Sequence, residues 1–238
     1  MPNTDNTNLI HERSNRGHTK MGWLESHHTF SFGNFYDPTR MGFRSLRVIN
    51  DDRVVPGGGF ATHSHRDMEI ITYVLEGALE HKDSLGNGAI IRPGDAQIMS
   101  AGTGITHSEF NASSTEPVHF LQIWIIPKQQ DLSPRYEQQH FPSETRRGTL
   151  QLIVDPQGRD RAVTIHQDAQ IYTGLIDVGE TITYDAKGDR YCWIQVARGI
   201  MHLNSEELRA GDGVQMPGGQ HLTISTPNSA EFLLFDLN

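Results

Sequence analysis

The amino-acid sequence predicts an all-β protein that contains two small antiparallel β-barrels. Short apolar runs rich in Val, Ile, Tyr, Phe and Trp are separated every 8 to 12 residues by Gly, Pro, Asn or Asp. No stretch keeps a helical period with a cap at both ends, so little helix is expected. A polar segment with three prolines, residues 127–148, separates two halves of about 100 residues each.

Each half supplies several candidate strands. In the first half they are "FRSLRVIND", "MEIITYVLEG", "GAIIRPGDAQIMSAG" and "VHFLQIWIIP", and in the second "LQLIVD", "AQIYTGLID", "YCWIQVARG", "IMHLN" and "EFLLFDLN". A weak internal repeat, with "RPGD" in the first half and "RAGD" in the second, suggests duplication of one unit. The segment "SPRYEQQHF" is expected to form one or two helical turns after Ser133.

Charge and composition exclude some classes of function. The chain has 20 basic and 29 acidic residues and a formal charge of -9, which disfavours direct binding to nucleic acid or to anionic membranes. Its single cysteine, Cys192, lies in an apolar run and is expected to be inert core. No leader or membrane-spanning pattern is recognised, so we expect a cytoplasmic monomer.

Two histidine patterns carry the chemistry. In "THSH", His63 and His65 would project from one face of a strand, with Cα atoms about 6 to 7 Å apart. In "THSEF", His107 and Glu109 repeat the same spacing on a second strand. If the two pairs face each other, they supply three imidazole nitrogens and one carboxylate oxygen to a mononuclear metal, with one or two coordination positions open for a reaction.

The alternative is that these histidines are ordinary surface residues. A lone His-x-His among 13 histidines is weak support for a metal site, but the two pairs together with the neighbouring glycines predict one. Gly57, Gly58 and Gly59 would form a sharp turn into the first metal strand, and Gly102 and Gly104 would adopt positive φ before His107. Three imidazoles and a carboxylate suit Fe, Mn, Co, Ni, Cu or Zn.

These residues resemble the two sequence motifs of the cupin superfamily. Gly57, His63, His65 and Glu69 have the spacing of the first motif, and Gly104, His107 and Asn111 that of the second. One departure is that the glutamate ligand of the common motif would fall at Ile70. The stretches "RGHTKMGWLESHHTFSFGNFYDPTRMGFRSLRVINDD", "HSHRDMEIITYVLEG", "IMSAGTGITHSEFN", "LQIWI" and "PRYEQ" are similar to the pirin family, from about residue 10 to the C-terminus.

The resemblance to the pirin family implies a bicupin fold, two double-stranded β-helix barrels of the jelly-roll kind. It also implies metal ligands at His63, His65, His107 and Glu109, usually around iron. The expected domains are a disordered lead-in (1–9), an N-terminal cupin barrel with the metal site (10–130), a linker (131–148) and a C-terminal cupin barrel without a site (149–238). The last assignment agrees with the absence of a His-x-His or His-x-Glu pair after residue 149.

The activity implied by the resemblance is that of a quercetin 2,3-dioxygenase, which opens the central ring of a flavonol with dioxygen and releases carbon monoxide. Its substrates would be a small aromatic molecule and dioxygen, and Glu109 would be both metal ligand and catalytic base. Gln122 and Glu69 are further residues that could orient the imidazoles. Two alternatives stay open: a metal-dependent module that binds transcription factors, as pirin itself does, and a cupin enzyme for another small enol substrate.

Overall fold

The computed structural model describes residues 8–238 of the chain. Most of the lead-in predicted for residues 1–9 lies outside the described residues, while Leu9 already belongs to strand β1 (Leu9–His11). The all-β prediction is confirmed, because the described residues form 21 strands and a single four-residue α-helix, α1 (Ser143–Arg146). Short 3₁₀ turns cover Arg13–Asn15 and Arg159–Arg161.

Two compact units make up the described chain. Residues 16–140 and 156–167 form the N-terminal unit, and residues 8–15, 141–155 and 168–238 form the C-terminal unit. Within residues 8–238, no helix has the length and apolar character that crossing a membrane requires.

The N-terminal unit contains two antiparallel sheets. The strands of these sheets are β2 (Gly17–Lys20), β3 (Leu24–His28), β4 (Leu46–Val54), β5 (Gly59–His65), β6 (Glu69–Glu76), β7 (Leu79–Asp83), β8 (Gly88–Ile91), β9 (Asp95–Ser100), β10 (Ile105–Asn111), β11 (Val118–Ile125) and β12 (Arg135–His140). The two-residue strand β14 (Val163–Thr164) lies in this unit but outside the two sheets. The larger sheet has the order β12-β9-β6-β11-β4-β3-β2, and the smaller has the order β5-β10-β7-β8.

Apolar side chains that alternate along these strands form the core of the N-terminal unit. One cluster includes Val54, Leu79 and Phe120, whose side chains are each at most 1% exposed. Because successive side chains of a strand point to opposite faces, the intervening polar residues of β4 and β11 share faces of their own. Polar residues on those faces line the site described below.

The C-terminal unit is a second all-β body. Its strands are β1, β13 (Leu150–Asp155), β15 (Ala169–Asp177), β16 (Thr181–Asp185), β17 (Tyr191–Leu203), β18 (Glu206–Arg209), β19 (Gly213–Pro217), β20 (His221–Ser225) and β21 (Ser229–Leu237). In its main sheet, β1, β19, β17, β21, β15 and β13 are neighbours in that order. Cys192 lies in the apolar core of this unit, where burial raises the pKa of its thiol to about 12 and keeps it unreactive.

The helical turns predicted after Ser133 are wrong. Residues Arg135–His140 form β12, which pairs along its whole length with β9. This pairing satisfies the backbone of the segment from a distant part of the chain, and such tertiary contacts override a weak local preference for helix.

The compact units differ from the predicted domain boundaries in two further places. Residues 8–15 belong to the C-terminal unit, because β1 pairs with β19, and residues 156–167 belong to the N-terminal unit, where Arg135 bonds the hydroxyl of Thr164 at 2.8 Å. The segment predicted as a linker, residues 131–148, also contains β12, a strand of the larger sheet. As domain boundaries, the divisions at residues 130 and 149 stay a prediction.

Candidate metal centre

Strands β5, β10 and β7 of the smaller sheet bring the predicted residues together. His107 of β10 lies directly opposite His63 of β5, so the two strands are hydrogen-bonded neighbours and not opposed faces of two sheets. The register shifts between His107 and Glu109, which is typical of a β-bulge. On its other side, β10 pairs with β7, where Glu109 lies opposite His81.

The structure places His63, His65 and His107 in one group. Each offers a ring nitrogen that lies within 4.8 Å of those of the other two. The Nε2 atoms of His63 and His107 are 3.1 Å apart. Two nitrogens that bind the same cation at about 2.0 to 2.1 Å are separated by roughly this distance.

The protonation of these imidazoles suits a cation. His63 Nδ1 donates to the carbonyl oxygen of Ala61 at 2.9 Å, and since a carbonyl only accepts, Nε2 keeps its lone pair in the neutral ring. Burial, and then the neighbouring His63, lowers the pKa of His65 to about 4 and that of His107 to about 3. Both rings are therefore neutral at pH 7, which is the form that binds a metal.

Glu109 is 2% exposed and lies beside this group. Its Oε2 accepts from Gln122 Nε2 at 2.8 Å and its Oε1 from the Thr72 hydroxyl at 3.3 Å. Burial raises the pKa of the Glu109 carboxyl, and hydrogen bonds from Gln122 and Thr72 oppose that rise. The carboxylate forms a group with His107 and His81, so His107 is common to both groups.

His81 is a site residue that the sequence analysis missed. It is completely buried, and its Nε2 donates to Asp83 Oδ2 at 3.1 Å. Its Nδ1 and the Nδ1 of His107 are buried without a hydrogen-bond partner among the described residues. The spacing of His81 and Asp83, two residues apart in the sequence, is the signal that could have found this pair.

A cavity of about 480 Å³ adjoins the histidines. His63, His65 and Glu109 line it, and its walls include the four aromatic side chains Trp23, Phe32, Phe60 and Trp124. The Trp124 ring contacts that of His65, with centroids 5.0 Å apart. A concave apolar site of this size with a few polar groups is typical of small-molecule binding.

The two residues expected to orient the imidazoles have different positions. Gln122 contacts Glu109, whereas Glu69 accepts from the Ser100 hydroxyl at 2.9 Å and contacts His166 Nδ1 at 3.3 Å. Glu69 thus belongs to neither histidine group. Its buried carboxylate instead bonds His166, which connects residues 156–167 to the larger sheet.

A third group with metal-binding potential lies on the surface of β2 and β3. It contains His18, Glu25 and His27, with the two imidazole rings stacked at 4.6 Å. Lys20 Nζ lies 3.8 Å from the Glu25 carboxylate and competes with a cation for it. In the part of the chain that is described, all three groups belong to the N-terminal unit. The absence of a site from the C-terminal barrel stays a prediction.

The turn before β10 depends on Gly102. Its φ of +47° is in the left-handed region, as the sequence predicted, and an added Cβ would lie 2.0 Å from the Leu132 carbonyl oxygen. We expect Gly102→Ala to lower the free energy of unfolding by about 3 kcal/mol, through backbone strain and overpacking. Urea denaturation measures the change.

Gly57→Ala is the matched control, because Gly57 has a φ of +67° but no atom within 4 Å of an added Cβ. We expect it to cost only about 1 kcal/mol. Equal losses in the two variants would show that the close approach to Leu132 does not constrain the turn.

Comparisons with known proteins give consistent matches. The Pirin family profile matches residues 10–125, and a profile described as the quercetinase C-terminal cupin domain matches residues 152–237. A protein of Escherichia coli (strain K12) named quercetin 2,3-dioxygenase is 46% identical over 228 residues, which cover 96% of this chain and 97% of that protein.

Solved structures agree with the sequence matches. The structure of bacterial pirin YhhW in complex with nickel(II), from Escherichia coli, is 46% identical with a TM-score of 0.92, over 97% of this chain and 99% of that one. YhaK from Escherichia coli is 29% identical with a TM-score of 0.73, over 87% of this chain and 92% of that one.

Proposed function

Because this chain belongs to the pirin family, we propose that it is a metal-dependent dioxygenase that cleaves flavonols such as quercetin. The expected family and the bicupin fold class are confirmed by matches that cover both halves of the chain. The relative named quercetin 2,3-dioxygenase, and the nickel(II) complex of a related pirin, support an enzyme that uses a metal.

One observation carries the proposal. Three imidazoles converge to within 4.8 Å, and two of them line an aromatic-walled cavity of about 480 Å³. A convergent set of imidazole nitrogen donors at the side of an apolar cavity can hold a cation next to a bound organic molecule.

We assign the metal ligands to His63, His65, His107 and Glu109. The histidines would supply imidazole nitrogens, and Glu109 would supply the negative charge that offsets part of a divalent cation's charge. We propose iron as the cation, which supplies Lewis acidity and the capacity for electron transfer that a reaction with dioxygen requires. His81, held by Asp83, would support His107 and Glu109.

Glu109 is the proposed base. It lines the cavity, and burial raises the pKa of its carboxyl, which makes the carboxylate a better proton acceptor than an exposed one. In this role Glu109 takes the proton of the flavonol 3-hydroxyl. Gln122 and Thr72 hold the carboxylate in place through both of its oxygens.

The aromatic side chains hold the flat substrate. Trp23 and Phe60 contact edge to face, with centroids 4.9 Å apart, and Phe32 and Trp124 do the same at 5.3 Å. These pairs fix the ring orientations before a ligand arrives, so little conformational entropy is lost on binding. They also exclude water from the reacting atoms.

Product stoichiometry tests the proposed reaction. Purified protein should consume quercetin and dioxygen in equal amounts and release an equal amount of carbon monoxide, because both oxygen atoms enter the products and one ring carbon leaves. An oxygen electrode, quercetin absorbance and a haem-based carbon monoxide assay measure the three quantities. Quercetin loss without carbon monoxide would indicate simple oxidation and would contradict the proposal.

A further inference from the structure

A row of polar side chains crosses the larger sheet on the face that lines the cavity. The register places Thr72 of β6 beside Gln122 of β11, Gln122 beside Asn50 of β4, and Asn50 beside His28 of β3. The row spans three strand spacings, about 14 Å. It therefore begins at the partners of Glu109 and ends at His28, which also lines the cavity.

The far end of this row is formed by His28 of β3 and Asn50 of β4. His28 Nδ1 contacts Asn50 Oδ1 at 2.7 Å, and since this oxygen only accepts, Nδ1 carries the proton. The Thr19 hydroxyl lies 2.9 Å from His28 Nε2 and donates to it. His28 and Asn50 are buried and line the cavity, so this end has a fixed arrangement of donors and acceptors.

Asp52 lies beside the His28 end of the row, and its carboxyl group is only partly hydrogen-bonded. It follows Asn50 by two residues on the same face of β4, lines the cavity and is 3% exposed. Its Oδ1 has no hydrogen-bond partner among the described residues. Burial raises the pKa of the Asp52 carboxyl to about 7, and the Ser26 hydroxyl opposes that rise through a hydrogen bond.

A buried carboxyl with a free oxygen lowers stability unless a ligand satisfies it. Replacement by an apolar residue of similar volume would remove that cost. An unsatisfied polar group on a cavity wall is therefore best explained by its contact with whatever enters the cavity.

We propose that Asp52, with Asn50 and His28, recognises a hydroxyl group on a ring of the substrate remote from the metal. This inference rests on the proposed function and deepens it. The substrate class is then a polyhydroxylated flavonol, held at one end by its chelating 3-hydroxyl and 4-carbonyl groups and at the other end by Asp52. Flavonols that carry only the chelating groups would bind without the second contact.

Two substrates and two variants test this assignment. Quercetin carries remote hydroxyl groups, and 3-hydroxyflavone keeps only the chelating pair, so their ratio of kcat/KM reports the second contact. We expect Asp52→Leu to lower kcat/KM for quercetin about tenfold, mainly through KM, and to change that for 3-hydroxyflavone by less than about threefold. Asp52→Asn keeps a hydrogen-bonding side chain and should restore part of the preference.

Thermal unfolding and metal content separate this role from a structural one. Asp52→Leu should be at least as stable as the wild type and should keep its metal. An equal loss on both flavonols, or no loss on either, would overturn the assignment even though the wild-type protein is an active dioxygenase.

If the wild-type protein turns over neither flavonol, the proposed function fails, but the inference about Asp52 is still tested. Quenching of the fluorescence of Trp23 and Trp124 in metal-loaded protein would then measure the binding of both flavonols. Tighter binding of quercetin that Asp52→Leu abolishes supports the second contact, and equal affinities in wild type and variant contradict it.

Discussion

His107→Ala is expected to lower metal affinity by about 100-fold or more and to reduce flavonol turnover to below about 1% of wild type. His107 is 1% exposed, and its Nε2 lies 3.1 Å from that of His63. It belongs both to the group with His63 and His65 and to the group with His81 and Glu109. No other described side chain joins the two groups in this way. Mass-spectrometric metal analysis after dialysis, with oxygen uptake on the same sample, measures both effects.

His221→Ala is the matched control for this prediction. His221 is exposed, lies in the C-terminal unit and contacts Asp185 Oδ1 at 2.6 Å through Nδ1. Its loss should leave metal content and turnover unchanged. Full metal occupancy in His107→Ala, or in His63→Ala, would contradict the assignment of the centre.

Glu109→Gln is expected to lower kcat by about 100-fold to 10,000-fold while the protein keeps most of its metal. The substitution preserves the shape of a side chain that is 2% exposed but removes the proton acceptor. On the proposed assignment, the three histidines would continue to supply nitrogen ligands. Single-turnover kinetics with quercetin under air, beside metal analysis, measures the two quantities separately.

Glu69→Gln is the control for Glu109→Gln. Glu69 is also a 2% exposed carboxylate of the N-terminal unit, but its partners are Ser100 and His166, and it does not line the cavity. This variant should turn over quercetin at the wild-type rate. Wild-type turnover in Glu109→Gln with metal retained would remove the base role from Glu109.

The sequence was sufficient to predict the fold class and the convergence of three histidines. Alternation of apolar and polar residues determines which strands are half-buried, and the i, i+2 spacing places His63 and His65 on one face of β5. The group with His107 then follows once β10 pairs beside β5.

His81 and Asp52 could not be assigned in the same way, because their roles depend on register. His81 lies beside Glu109 because β7 pairs with β10. Asp52 lines the cavity because the even-numbered residues of β4 point inward. Strand neighbours distant in sequence are not fixed by local pattern. Polar residues on a predicted core face, as in "VINDD", are the signal that would have indicated Asp52.

At residues 135–140 the local sequence pattern predicted a conformation that the strand pairing overrides. Its polar composition and the preceding Ser133 favour a short helix locally, but β9 would have an unpaired edge without it. The stability of the whole sheet decides the conformation of such a segment.

The measurement that tests the central claim most directly is turnover as a function of metal content in one preparation. Protein purified without added metal, in a His18→Ala/His27→Ala background that removes the surface group, is analysed for metals and then titrated anaerobically with iron(II) before oxygen is admitted. The account predicts that quercetin turnover rises in proportion to iron and reaches its maximum at one iron per chain. One tightly bound metal per chain, with no oxygen uptake on any flavonol, would contradict a dioxygenase and favour a metal-dependent binding module.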